Sequence, residues 1–109
     1  MIQLEALETK ILHAFQGGNG DIAAKIYADD QNRIIKSVYD PGVSTGYHCH
    51  DSSCEILFIL SGGGKVIHNG KEERLTAGDC HYCKKGDSHA VINDTDAPLV
   101  MYAVVCSQK

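Results

Sequence analysis

Turn chemistry recurs along this chain at short intervals. Ala28-Asp29-Asp30-Gln31-Asn32, Asp40-Pro41-Gly42, Gly62-Gly63-Gly64, Asn69-Gly70, Ala77-Gly78-Asp79, Lys84-Lys85-Gly86-Asp87 and Asn93-Asp94-Thr95-Asp96 each separate short apolar or β-branched segments. Asn, Asp and Ser bond to nearby backbone and Gly accepts positive φ, so such clusters reverse the chain. Long helices do not fit between them. Strands are predicted over Ile22–Tyr27, Arg33–Tyr39, Glu55–Leu60, Lys65–His68, Lys71–Leu75, Cys80–Cys83, Ser88–Ile92 and Leu99–Cys106. Asn69-Gly70 between two of them predicts a hairpin with a two-residue type I′ turn. The nearly even spacing indicates an all-β antiparallel sandwich or barrel.

The N-terminal segment reads differently. Leu4, Leu7, Ile11, Leu12 and Phe15 form a helical stripe, and Gly17-Gly18-Asn19-Gly20 would end that helix. This divides the chain into a helix and turn over residues 1–20 and a β domain over residues 21–109. A chain of 109 residues can bury one modest core. A net charge of −4 with scattered lysines argues against nucleic acid or an anionic membrane as partner. No apolar run reaches membrane-spanning length, and Met1-Ile2-Gln3-Leu4-Glu5 lacks signal-peptide character, leaving the cytoplasm as the default location. Five cysteines, an odd number, argue poorly for a disulfide framework. Cys80-His81-Tyr82-Cys83 has C-x-x-C spacing but falls in a predicted strand, where positions three apart face opposite ways. Two separately packed thiols fit that placement better than a redox or zinc pair.

His48 and His50 lie two residues apart, and Glu55 heads an apolar run five residues later. Alternate strand residues share a face, so the two imidazoles can aim at one point while Cys49 faces away. Asp51-Ser52-Ser53 lets the chain reverse and bring Glu55 beside them on the next strand. Two imidazoles and a carboxylate suit a borderline divalent metal. The same residues also suit an exposed strand followed by a solvated strand end. Gly62-Gly63-Gly64 is not followed by a helix pattern or a Lys-Ser/Thr pair, so a phosphate cradle is not indicated.

From Gly78 the chain reads GDCHYCKKGDSHAVIN, with Gly86, His89 and Asn93 at intervals of eight, three and four. Together with Gly42, His48, His50, Glu55 and Gly62, this resembles the two motifs of a small single-domain bacterial cupin. Nine of ten motif positions agree; Lys84 stands where the family usually has proline, a turn residue that does not touch the site. The motifs span Gly42 to Asn93, about half the chain. The resemblance implies a jelly-roll β-barrel holding one divalent transition metal ion on His48, His50, Glu55 and His89. Imidazole-rich ligation admits Fe, Mn, Ni, Zn, Co or Cu. It also implies a homodimer, formed through edge strands and N-terminal segments.

With Glu55 inward, parity brings Leu57 and Ile59 to the same face as an apolar wall. On the 80–83 strand, an outward Asp79 would put Cys80 and Tyr82 inside and His81 outside, and a bulge would reverse this. Tyr82 could then orient a substrate through its hydroxyl or simply pack in the core, with His81 as a weaker candidate general base. Tyr47 and Tyr102 are further candidates. His13 and His68 are expected at the surface. Three functions follow: a metal-dependent enzyme on a small organic molecule, of oxygenase, isomerase or decarboxylase type; a non-catalytic module that binds or senses a small molecule; or a thiol-based redox protein.

Overall fold

A computed structural model describes residues 1–109. Ten strands form in chain order: β1 (Thr9–His13), β2 (Asp21–Ala28), β3 (Asn32–Tyr39), β4 (His48–Cys49), β5 (Ser53–Ser61), β6 (Gly63–His68), β7 (Lys71–Thr76), β8 (Cys80–Cys83), β9 (Ser88–Ile92) and β10 (Leu99–Ser107). They pair into a six-stranded sheet, β1-β2-β3-β10-β5-β8, and a four-stranded sheet, β4-β9-β6-β7. Every named pairing is antiparallel. Sequence neighbours such as β5 and β6 sit in different sheets, so the chain wraps back and forth across a jelly-roll barrel. No helix is long and apolar enough to cross a membrane.

Period-two alternation builds the interior. Leu57 and Ile59 of β5, Leu99, Met101 and Ala103 of β10, and Val66 of β6 are all nearly inaccessible and meet between the sheets. A register shift between Val100 and Met101 leaves Leu60 without a partner residue, and beyond this bulge Leu60 and Ser61 both lie exposed. The hairpin joining β6 to β7 turns through Asn69 at φ 49° and Gly70 at φ 82°, the positive pair that a type I′ turn requires.

The expected N-terminal helix does not form. Leu4–Ala6 and Phe15–Gly17 are single 3₁₀ turns, and Thr9–His13 between them is a strand. The physical reason is the open edge of β2, which takes β1 in register with Ile11 opposite Ala23 and Leu12 opposite Ile22. Leu12 packs against the core, while Ile11 faces solvent. Helix propensity differs by only tenths of a kcal/mol among ordinary residues, so an unpaired sheet edge overrides it.

The second 3₁₀ turn has a positional role. Gly46 N–H donates to Phe15 O at 3.0 Å, and Ser44 and Asn19 exchange backbone hydrogen bonds at 2.9 and 3.2 Å. The N-terminal segment thus lies against residues 44–46, which lead directly into β4. The approach is so close that a Cβ on Gly46 would stand 1.8 Å from Gln16 O. A Gly46→Ala substitution is therefore expected to cost more than about 2 kcal/mol through overpacking against backbone. Gly70→Ala, at φ +82° with nothing within 4 Å, should cost about 1 kcal/mol from backbone strain alone. Urea unfolding midpoints of the two variants check this order, and equal losses would contradict the contact.

Candidate metal centre

β4 and β9 share a ladder of two residue pairs, His48 with His89 and Cys49 with Ser88. Just past it, His50 N–H donates to Asp87 O at 3.0 Å and Gly86 N–H donates to His50 O at 2.6 Å. Gly86 adopts φ +91°, which turns the chain into β9. The pairing sets His48 and His89 side by side, and strand parity carries His50 to the same face. Glu55 approaches from β5 of the other sheet.

The resulting geometry is tight. His50 Nε2 lies 3.2 Å from His48 Nε2 and 3.1 Å from His89 Nε2. Glu55 Oε1 lies 3.3 Å from His50 Nε2 and 2.9 Å from His89 Nε2. Donor atoms of all four residues fall within 4.8 Å of one another. Each imidazole is also held from behind. His48 Nδ1–H donates to Gly46 O at 2.7 Å, His50 Nδ1 lies 2.9 Å from Ser53 Oγ, and His89 Nδ1 lies 3.0 Å from His81 Nε2. A ring nitrogen fixed in this way leaves the Nε2 lone pair for the common centre.

Charge follows from burial and contact. Burial holds His48 below the usual imidazole value despite its bond to Gly46. Burial alone would raise Glu55, but His50 and His89 hold its carboxyl down at about 2, so it is a full anion at neutral pH. Three Nε2 atoms and one carboxylate oxygen converge at 2.9–3.3 Å, a spacing that a single shared cation would accommodate. Ligands at right angles about 2.1 Å from one ion would stand about 3.0 Å apart, against about 3.4 Å for tetrahedral ligands. The close pairs, at 2.9–3.3 Å, fit the right-angled arrangement better. The donor set therefore fits a divalent transition ion.

The four residues face a cavity of about 590 Å³ whose wall includes Ile22, Ile26, Ile35, Leu57, Met101 and Val105. Leu57 lies on that wall, while Ile59 is buried in the core away from the cavity lining. Parity on β8 runs opposite to expectation. His81 and Cys83 are buried, whereas Cys80 and Tyr82 point outward, Tyr82 with 46% of its surface exposed. The reason is Asp79, which accepts hydrogen bonds from Thr76 N–H and hydroxyl at 2.8 and 3.1 Å. It belongs to the turn and transmits no strand parity. Tyr82 cannot orient a molecule in the cavity, and His81 stands behind His89 rather than at the surface. Burial brings the His81 imidazole down to about 4, so it is neutral, and with His89 Nε2 turned to the common centre the His89 Nδ1–H would donate to His81 Nε2.

Cys83 adjoins the centre, its sulfur within 4.8 Å of ring nitrogens of His81 and His89, while the remaining candidates separate from the site. Tyr47 and Tyr102 are exposed. Burial pushes the Cys83 thiol up to about 12, and its C-x-x-C partner Cys80 points the other way. His13 is exposed beside Asp21 at 2.6 Å, and His68 is partly buried, 2.9 Å from Asp87. Two hydroxyls that the sequence reading passed over, those of Ser37 and Tyr39 on β3, line the cavity. The signal for them was available: Ile35, Ser37 and Tyr39 alternate along one predicted strand.

A jelly-roll barrel carrying three histidines and a glutamate from its two sheets toward an interior cavity defines the cupin class. The chain matches the Cupin_2 family, described as Cupin domain, over residues 36–105, and it belongs to that family. It is similar to a structure described as a predicted oxalate decarboxylase from Thermotoga maritima, with 25% identity over 98% of both chains and a TM-score of 0.91. A Cupin 2 conserved barrel domain protein from Salinispora arenicola is 30% identical over 79% of this chain and 76% of its own, with a TM-score of 0.71. A sugar phosphate isomerase of the cupin superfamily from Silicibacter pomeroyi shares the fold at 21% identity and TM-score 0.80, over 97% of this chain and 74% of its own. Comparison with curated proteins gives no match.

The reversed parity of β8 has a measurable consequence. In His81→Leu the Nδ1–H of His89 loses its acceptor in the interior, which should cost about 1–3 kcal/mol of stability. Tyr82→Phe removes only an exposed hydroxyl and should stay within about 0.5 kcal/mol of the parent. Urea unfolding of metal-stripped protein measures both, and similar effects would contradict the burial of His81.

Proposed function

We propose that this cupin is a metal-dependent enzyme acting on a small organic molecule, with His48, His50, Glu55 and His89 as the ligands of one divalent transition ion. The observation that carries this reading is the convergence of their donor atoms within 4.8 Å on the wall of a cavity that Ile22, Ile26, Ile35, Leu57 and Met101 also line. A bound ion would supply Lewis acidity or a site for dioxygen, the chemistry behind isomerase, decarboxylase and oxygenase reactions. The chain's own residues have plainer tasks. Glu55 holds negative charge at the centre, the partners of the three Nδ1 atoms keep the rings aimed, and the aliphatic wall excludes water around a bound molecule. Two similar proteins described as a predicted oxalate decarboxylase and a sugar phosphate isomerase support this class of activity.

Elemental analysis of the purified protein is expected to find about one equivalent of Fe, Mn, Ni, Zn, Co or Cu per chain. His50→Ala and His89→Ala should lose most of it while circular dichroism remains that of a β protein. His81→Leu should retain the site but bind the ion about 10–100-fold more weakly in chelator competition, because His89 loses its orienting partner. Metal content unchanged in both ligand variants would overturn the assignment. A co-purifying metabolite recovered intact after prolonged incubation with metal-loaded protein would favour a binding role over an enzyme.

A further inference from the structure

The cavity holds two hydroxyl groups that nothing in the protein uses. Tyr39 is 5% exposed and Ser37 is 6% exposed, and both side chains line the cavity. Every fully sealed side-chain nitrogen and oxygen in the protein has a hydrogen-bond partner. The hydroxyls of Tyr39 and Ser37, which make no hydrogen bond to protein, are therefore open to the cavity. Thr45, the other buried hydroxyl on the wall, is already engaged, accepting from Val91 N–H at 2.9 Å.

Their setting is rigid. Tyr39 and Ser37 sit two apart on β3, paired with β10 at Leu99 and Met101 and with β2 at Ile22 and Ala24. Asn93 is fully buried and donates through Nδ2 to Tyr39 O at 2.8 Å, pinning the strand where the phenol enters the interior. Ordered hydroxyl donors aimed into apolar space are the usual means of orienting a ligand in such a cavity.

Charge narrows the class of ligand. A divalent ion beside the Glu55 carboxylate carries one net positive charge, which a single carboxylate neutralises. The basic side chains at the cavity, Arg33 and Lys109, are both on its exposed rim. A second anionic group inside would lie against Ile26, Ile35 and Met101 with no cation to pair with, a placement that costs several kcal/mol.

Resting on the metal reading above, we infer that Tyr39 and Ser37 anchor the outer oxygen of a small monocarboxylate with an aliphatic body. Its carboxylate lies at the metal centre, and its oxo or hydroxyl oxygen accepts hydrogen bonds from the two hydroxyls. A dicarboxylate or a phosphorylated sugar is disfavoured by the missing cation. Burial, and then the charge of Glu55, raise the Tyr39 hydroxyl above its ordinary value, so it stays protonated as a donor.

The test uses zinc-loaded full-length protein and two probes of equal length, 4-oxopentanoate and pentanoate, which differ in the outer oxygen. Calorimetry at neutral pH should find the oxo acid bound about tenfold more tightly, the worth of one to two neutral hydrogen bonds. In Tyr39→Phe that ratio should fall toward one, and in Ser37→Ala it should fall several-fold; thermal melts confirm that each variant is folded. Glutarate, with a second charge in place of the oxo group, should bind more weakly than 4-oxopentanoate. Equal binding of the two probes by the parent protein, or an unchanged ratio in both variants, would overturn the anchor while leaving the metal reading intact. Tighter binding of glutarate would overturn the single-charge argument. Failure of zinc to bind stoichiometrically would overturn the metal reading and the anchor together.

Discussion

The backbone pairing of His48 with His89 sets the positions of three imidazoles at once. β4 contributes only two residues to the ladder, yet those two decide which way His48 and His50 point. A slip of one residue would turn both side chains out of the barrel. Two supports hold the register. On one side, Gly86 and Asp87 clasp His50 through its own N–H and C=O. On the other, Ser44 bridges Ile92 and Thr45 N–H donates to Val91 O at 2.9 Å, tying the approach strand to β9. Glu55 needs no such clasp. It sits on β5, next to the edge of the larger sheet and paired on both sides.

A cluster of polar groups inside an apolar barrel is costly unless each atom has a partner. Here the far nitrogen of every metal-facing imidazole has one: a backbone carbonyl for His48, a serine hydroxyl for His50 and a second imidazole for His89. Asn93 solves a similar problem at the other end of the second motif. Buried completely, it donates to Tyr39 O and Ala97 O and accepts from Thr95, closing the turn into β10 with no polar atom wasted. The motif asparagine is thus structural, tying β3 through Tyr39 O and, through its own backbone, the Gly42–Val43 stretch that leads toward β4.

The metal-facing residues were readable in the chain because spacing and parity suffice for them. Two histidines two apart, a turn, and a glutamate heading an apolar run are local patterns, and the strands that carry them are marked by strong turn residues. Where the reading went astray, the deciding interaction was not local. Residues 9–13 have a helical stripe but become a strand because β2 offers an unpaired edge. The face of β8 does not follow from Asp79, whose side chain is occupied in capping a turn. Ser37 and Tyr39 share one face of a predicted strand, and pairing with β2 and β10 turns that face inward. Parity from Asp79 places His81 outside, and its contact with His89 depends on how β8, in one sheet, lies against β9, in the other.

The N-terminal segment has a consequence for how this barrel can be altered. Residues 15–19 cross over the stretch that leads into His48, close enough that glycine is required on both sides, at Gly18 and Gly46. The leading segment is thus a strut under one arm of the centre, although it shares no residue with the sequence motifs. Shortening the chain to its motif-bearing portion would leave that arm tethered along a single edge. A minimal barrel cut from this protein would need a replacement brace there before its imidazoles could hold their aim.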